Sequence, residues 1–214
     1  TFLVLYCIII NNIRMLAFYS HILRWLMVIH RLNVKNMILI ALFTALIIVG
    51  AFIKIPNPFF PVPFTLQGVF CALAGLLLGA KHGSLAVAVY IIMGLAGLPV
   101  FTMPSGPQYI FQPTFGFLIG FIATAYIIGK VSESDRNFTY VRAFAASYLG
   151  LLIQYIIGIL YMYMIYNLYS KNPVGFWALV SGMSLYFLKD VILYTIVASV
   201  SVVLRKRIIL LLQD

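Results

Sequence analysis

Negative charge is nearly missing from this chain: four Asp and Glu stand among 214 residues, against fourteen Lys and Arg. Glu133 and Asp135 fall in one polar stretch, Asp214 is the last residue, and only Asp190 lies inside an apolar run. With no second carboxylate near Asp190, no HExxH, no GxSxG and no Walker motif, the usual catalytic or metal-binding sets are excluded. No cofactor or metal site is expected, and the chain cannot itself power a process with ATP. Cysteine is just as scarce. Cys7 and Cys71 both sit in apolar stretches, without CxxC spacing, and read as small core residues rather than a disulfide framework. The histidines are His21, His30 and His82, too scattered for a ligand set.

What is abundant is apolar surface. Hydrophobic residues make up 64% of the chain, charged ones 8%, and mean hydropathy is +1.10, outside the balance of water-soluble domains. Runs such as MILIALFTALIIVGAFI approach the ~20 residues with which a helix crosses a hydrocarbon core, and they show no strand-like alternation. The fold class expected is an all-α integral membrane protein, a bundle of six transmembrane helices in the lipid bilayer. Its spans are about 37–53, 65–80, 83–98, 114–129, 141–167 and 175–204. The breaks between them are KIPNPFFPVPF, the short KHG, PVFTMPSGPQYIFQP, KVSESDRNFTY and NLYSKNPVG.

The net charge of +10 belongs to span ends, so nucleic acid is not an expected partner. Arg31, Lys35, Lys81, Lys130, Arg136, Arg142, Arg205, Lys206 and Arg207 gather on one side of the expected membrane, and only Lys54 and Lys171 on the other. The positive-inside tendency then places both termini of the six-span unit in the cytoplasm. All nine prolines fall in the three opposite, outer loops. Proline lacks an N–H and fixes φ, so these loops are not regular helix, while Phe59, Phe60, Phe64, Phe101, Tyr109 and Phe111 make them unlike solvated linkers. They read as a lid or pocket wall, the alternative being an interfacial aromatic belt.

Residues 1–36 fit this pattern poorly, with Asn11, Asn12 and Arg14 interrupting the run and Arg24 in the middle of a would-be span. They are expected to form an interfacial or extraneous N-terminal extension rather than a seventh span, with the six-helix membrane domain over 37–207 and a tail over 208–214.

Asp190 is the candidate for chemistry, because an ionisable group at membrane depth must face protein or a polar cavity. The alternative is that it bonds a neighbouring helix as glue. Lys189 adjoins it, but successive helical residues point about 100° apart, so an internal ion pair is not expected. Small residues four apart, at Ala41/Ala45, Gly75/Gly79 and Gly116/Gly120, allow close helix approach.

Several separated strings then carry a resemblance: VPFTLQ (62–67), LAGLLLGAKHGSLAVAVYIIMGLAGLPVF (73–101), QPTFGFLIGF (112–121) and LKDVILY (188–194). Their order and spacing resemble the biotin-transporter family, the BioY-type S components of energy-coupling-factor (ECF) importers. The resemblance implies a six-helix subunit that binds biotin from outside and works with a membrane coupling subunit and two cytoplasmic ATPase subunits. It implies that Ala41 and Ala45 dock the coupling subunit, and that Asp190 accepts from the ureido N–H groups. Tyr109, Gln112, Thr65 and Gln67 are the further candidates for ligand contact. Many members carry a lysine three residues after the aspartate, where this chain has Leu193; Lys189 is the candidate substitute for recognising the ligand carboxylate. Rival readings are an S component for another vitamin, an intramembrane enzyme using Asp190, and a purely structural membrane subunit.

Overall fold

A computed structural model describes residues 33–55, 64–133, 138–170 and 173–211. The chain divides into two compact units, 1–38 and 39–214, and nearly all of the described residues belong to the second. Cys7, most of the extension 1–36 and the first proline-rich segment, 56–63, lie outside the described residues.

The described chain is helical apart from one two-stranded ladder. Its elements are α1 (Val34–Phe52), β1 (Lys54–Ile55), β2 (Phe64–Thr65), α2 (Gln67–Leu95), α3 (Phe115–Glu133), α4 (Tyr140–Met164) and α5 (Phe176–Leu211). Among the described residues five helices, with α4 continued to Tyr169 through a π-turn, are long and apolar enough to cross a membrane. Helices are the expected answer to an apolar chain, because they satisfy every backbone polar group internally.

The long α2 is not straight. At Gly79 the backbone leaves the helical region (φ 81, ψ −177). A straight helix would separate Gln67 from a residue 23 positions on by roughly 35 Å, yet the Gln67 amide reaches the Tyr90 hydroxyl at 2.6 Å. A Cβ on Gly83 would sit 2.8 Å from the Ala74 carbonyl. Residues 67–78 and 80–95 therefore run back along each other. The expected break at Lys81-His82-Gly83 is corrected: those residues are helical, and the turn sits at Gly79. Its cause is tertiary. Glu133, at the end of α3, accepts the Ala80 N–H at 2.9 Å, which caps the second half at the point where a helix start leaves donors unmet. Only glycine gives that carboxylate access and also tolerates the positive φ. Glu133, expected in a loop, is thus the last residue of α3 and part of this turn.

Small residues let the neighbours close in. Gly75 lies against the Ala125 backbone, Gly129 against Gly79 and Ala80, and Gly120 against the Gln154 backbone. α3 therefore packs tightly between α2 and α4, and α5 closes on α4 and α2. On α1, Ile40, Phe43, Thr44 and Ile47 are buried, with the Thr44 hydroxyl donating to the Ala86 carbonyl at 3.0 Å. Ala41 and Ala45 lie on the exposed side.

The segment between α2 and α3 is a compact wedge rather than a linker. Phe101 and Tyr109 are buried, with ring centroids 4.4 Å apart. The Gly106 N–H donates to the Gly94 carbonyl at 2.9 Å, and Lys54 holds the Thr102 carbonyl at 2.6 Å. Within it, Pro107–Phe111 forms a short 3-10 turn with proline at its first position, where the missing N–H is harmless. α5 begins after Pro173 and Gly175, and runs on without either residue beyond Gly182 to Leu211, into the stretch expected as a tail.

Candidate functional site

At the end of the bundle that carries the proline-rich loops, β2, the α2–α3 wedge and helices α3, α4 and α5 surround a cavity. It encloses about 750 Å³ of empty space, part of it open to solvent. Most of its wall is apolar: Phe117, Leu118, Phe121, Met162, Met183 and Met103. The methionines suit an irregular ligand shape, since an unbranched thioether fills gaps.

A few polar groups converge among them. Asp190, near the middle of α5, is 8% exposed. Its Oδ2 accepts the Tyr155 hydroxyl at 2.7 Å, and its Oδ1 meets the Lys189 ammonium at 2.7 Å. The expectation that Lys189 and Asp190 do not pair is corrected. The 100° offset concerns Cα–Cβ directions, but a four-carbon lysine stem can bend around the helix. Here it is drawn there by the Thr65 carbonyl, which accepts from Nζ at 3.2 Å, and by the Phe64 ring, 5.5 Å away. This contact ties α5 to the end of the β1–β2 ladder, whose register is Lys54 opposite Thr65 and Ile55 opposite Phe64.

Of the other sequence candidates, Thr65, Gln67 and Tyr109 line the cavity and Gln112 does not. Gln112 follows the 3-10 turn, where its backbone bonds the Tyr109 and Phe115 ends of the loop. The Thr65 hydroxyl donates to Gln67 Oε1 at 3.3 Å, so these two form one polar edge. Tyr109 has its hydroxyl near those of Thr102 and Thr114, at 3.4 and 3.5 Å.

Gln154 and Tyr155 on α4 were not among the candidates, and both face the cavity. Gln154 is 2% exposed; its carbonyl accepts the Tyr194 hydroxyl at 2.6 Å, and its amide N–H groups have no partner among the described residues. The signal was present in the string LIQYII, an amide within an apolar run, which demands a partner for the same reason as Asp190 does. Together the walls present an acceptor, a cation and an amide donor within an apolar chamber. That arrangement suits a ligand with an apolar body and a compact hydrogen-bonding head.

The family model for the BioY family matches residues 25–209. The chain belongs to the BioY family. Among its relatives are a probable biotin transporter BioY of Lysinibacillus sphaericus, 46% identical over 67% of this chain and 71% of the relative, and the biotin transporter BioY of Thermotoga maritima, 40% identical over 66% of this chain and 83% of the relative. A solved structure, the S-component for biotin from an ECF-type ABC transporter, superposes with a TM-score of 0.66 at 28% identity, covering 81% of this chain and 92% of that one. These BioY relatives are named transporters rather than enzymes, and the fold is that of an S component in a multi-pass membrane protein.

Proposed function

We propose that this chain is the substrate-binding subunit of an ECF-type importer, capturing biotin from outside the cell for ATP-driven uptake by partner subunits. One observation carries the reading: Asp190, the one acidic residue in the interior of an apolar span, stands in a largely apolar cavity with acceptor capacity to spare. Biotin offers a neutral ureido head, an apolar bicycle and chain, and a terminal carboxylate. Buried polar groups are costly when unpaired, so a ligand without matching donors binds poorly. In this reading Asp190 accepts from the ureido group, Thr65, Gln67 and Tyr109 supply further contacts, and the wedge around Phe101 and Tyr109 forms one wall.

The folded-back α2 supplies two short spans, so that the unit has six. Lys35, Lys81, Lys130, Arg142 and Arg205 then lie at the cytoplasmic ends, and the cavity opens outward through the proline-rich side. The partners are a membrane coupling subunit and two cytoplasmic ATPase subunits. The exposure of Ala41 and Ala45 on α1 supports their use as a docking patch, since small outward-facing residues leave room for another helix backbone.

Titrating the purified protein with biotin, riboflavin and thiamine tests the reading. Saturable binding of biotin in preference to the others is expected. Tighter binding of another vitamin would transfer the protein to that substrate, and no saturable ligand would favour a structural subunit.

Residues 1–36 are proposed to be dispensable for this function. A chain starting at Met37 is expected to insert and to bind biotin with the affinity of the full chain. Loss of membrane insertion, measured by fractionation and alkaline extraction, would assign a structural role to the extension.

A further inference from the structure

Far from the cavity, where α4 begins and α5 nears its end, small or slender side chains fill the seam between these helices: Ala143, Ala198 and Val202, all buried. A groove remains outside that seam. It holds about 520 Å³ of empty space, part of it open, and is walled by Tyr140, Ser199, Val200, Val203 and Leu204. Toward the middle of the spans the same helices are bridged by the Tyr148 and Thr195 hydroxyls, 2.8 Å apart. The Ser199 hydroxyl donates to the Thr195 carbonyl at 2.9 Å, so it needs nothing from an occupant. Val200, Val203 and Leu204 are exposed aliphatic surface. Such a wall suits a hydrocarbon chain, since a polar occupant would leave its hydrogen bonds unmet.

The residue after Leu204 adds a second requirement. Arg205 uses Nη1 to donate to the Ser132 carbonyl at 3.1 Å and to its hydroxyl at 2.6 Å, and its guanidinium lies over the Phe138 ring, 4.6 Å from the centroid. A guanidinium has five N–H donors, all in its plane, so a ring against its face leaves them available. Those on Nε and Nη2 have no partner among the described residues. Glu133, whose charge acts on Arg205, is held by the Ala80 N–H at 2.9 Å and makes no ion pair with it. Lys206 and Arg207 follow in the sequence. Positive charge at the foot of an apolar groove between membrane helices complements an anionic lipid headgroup.

We propose that the α4–α5 groove binds one anionic phospholipid, its acyl chain lying along Val200, Val203 and Leu204 and its phosphate meeting Arg205. With the orientation given under the proposed function, this lipid belongs to the cytoplasmic leaflet. The groove lies on α4 and α5, whereas Ala41 and Ala45 lie on α1.

Native mass spectrometry of the purified full chain, released from detergent containing equimolar phosphatidylglycerol and phosphatidylcholine, tests the site. One bound lipid is expected, with phosphatidylglycerol favoured about fivefold. Val203→Trp, which fills the groove from its exposed wall, is expected to remove the adduct of both lipids. Arg205→Gln is expected to keep a lipid bound and bring the ratio close to one, Arg205→Lys to retain most of the preference, and Lys130→Gln, on α3, to leave it unchanged. If Arg205→Gln does not fold, Val203→Trp decides. The proposal is overturned by an adduct indifferent to Val203→Trp, or by a ratio lowered equally by Lys130→Gln and Arg205→Gln, which would reflect diffuse surface charge. It is also overturned by inorganic phosphate binding in place of lipid, or by a lipid-free dimer that Val203→Trp dissolves. Biotin affinity of all four variants is expected within about twofold of the unmodified chain. Failure of the lipid site therefore leaves the biotin reading standing, and a chain that binds no biotin leaves the lipid result unaffected.

Discussion

Asp190→Ala is expected to weaken biotin binding by about 100-fold or more, because hydrogen bonds to a charged group contribute roughly 1.5–3 kcal/mol each and the aspartate has room for more than one. The loss extends beyond the acceptor. Tyr155 loses the oxygen its hydroxyl bonds, and Lys189 loses its ion-pair partner. Removing one member of a buried pair commonly destabilises by about 3–5 kcal/mol. Here the effect is moderated, since the Lys189 side chain is 23% exposed and retains the Thr65 carbonyl. The protein should therefore remain folded in detergent with a lowered melting temperature. Calorimetric titration beside a thermal melt separates affinity from stability. Unchanged affinity would remove Asp190 from the ligand site and leave it as a bond between α4 and α5.

Replacing both Ala41 and Ala45 with tryptophan should stop transport while biotin binding by the isolated subunit stays within about twofold of the unmodified protein. The asymmetry arises from the two faces of α1. Ile40, Phe43, Thr44 and Ile47 point into the bundle, whereas Ala41 and Ala45 are exposed with Leu42 and Val49. Large side chains there meet lipid or a partner, not the core, so the overpacking penalty of about 1–3 kcal/mol does not fall on the pocket. Against a partner helix, however, they hold the backbones apart. The measurements are ligand affinity of the variant, uptake by cells, and co-purification with the coupling subunit. Retained co-purification with impaired binding would reject the docking role.

Much of the architecture is legible in the chain because its signal is compositional. A run of apolar residues too long and too unalternated for a strand has one low-energy form in lipid, and the ends of such runs are marked by Lys, Arg and Pro. Asp190 was visible for a related reason, as the lone acid in an apolar run. Gln154 obeys the same logic, but an uncharged amide stands out less against Tyr155 and the surrounding Ile and Leu.

Position relative to other elements was not legible. Gly79 and Gly83 look alike in sequence, and the chain turns at Gly79 because Glu133, 54 residues later, reaches the Ala80 N–H there. Tyr109 and Gln112 belong to the same loop, and only the fold of the wedge brings the first to the cavity and leaves the second outside it. Lys189 and Asp190 point apart by helix geometry, and pair because the Thr65 carbonyl, 124 residues away in the chain, holds the lysine beside them. Sequence by itself determined that the protein is a membrane-embedded helical bundle with one buried carboxylate, since burial in lipid constrains every residue of a span. Tertiary structure alone decided which polar groups share that carboxylate's cavity, because such contacts depend on the bend of a helix and the reach of a side chain.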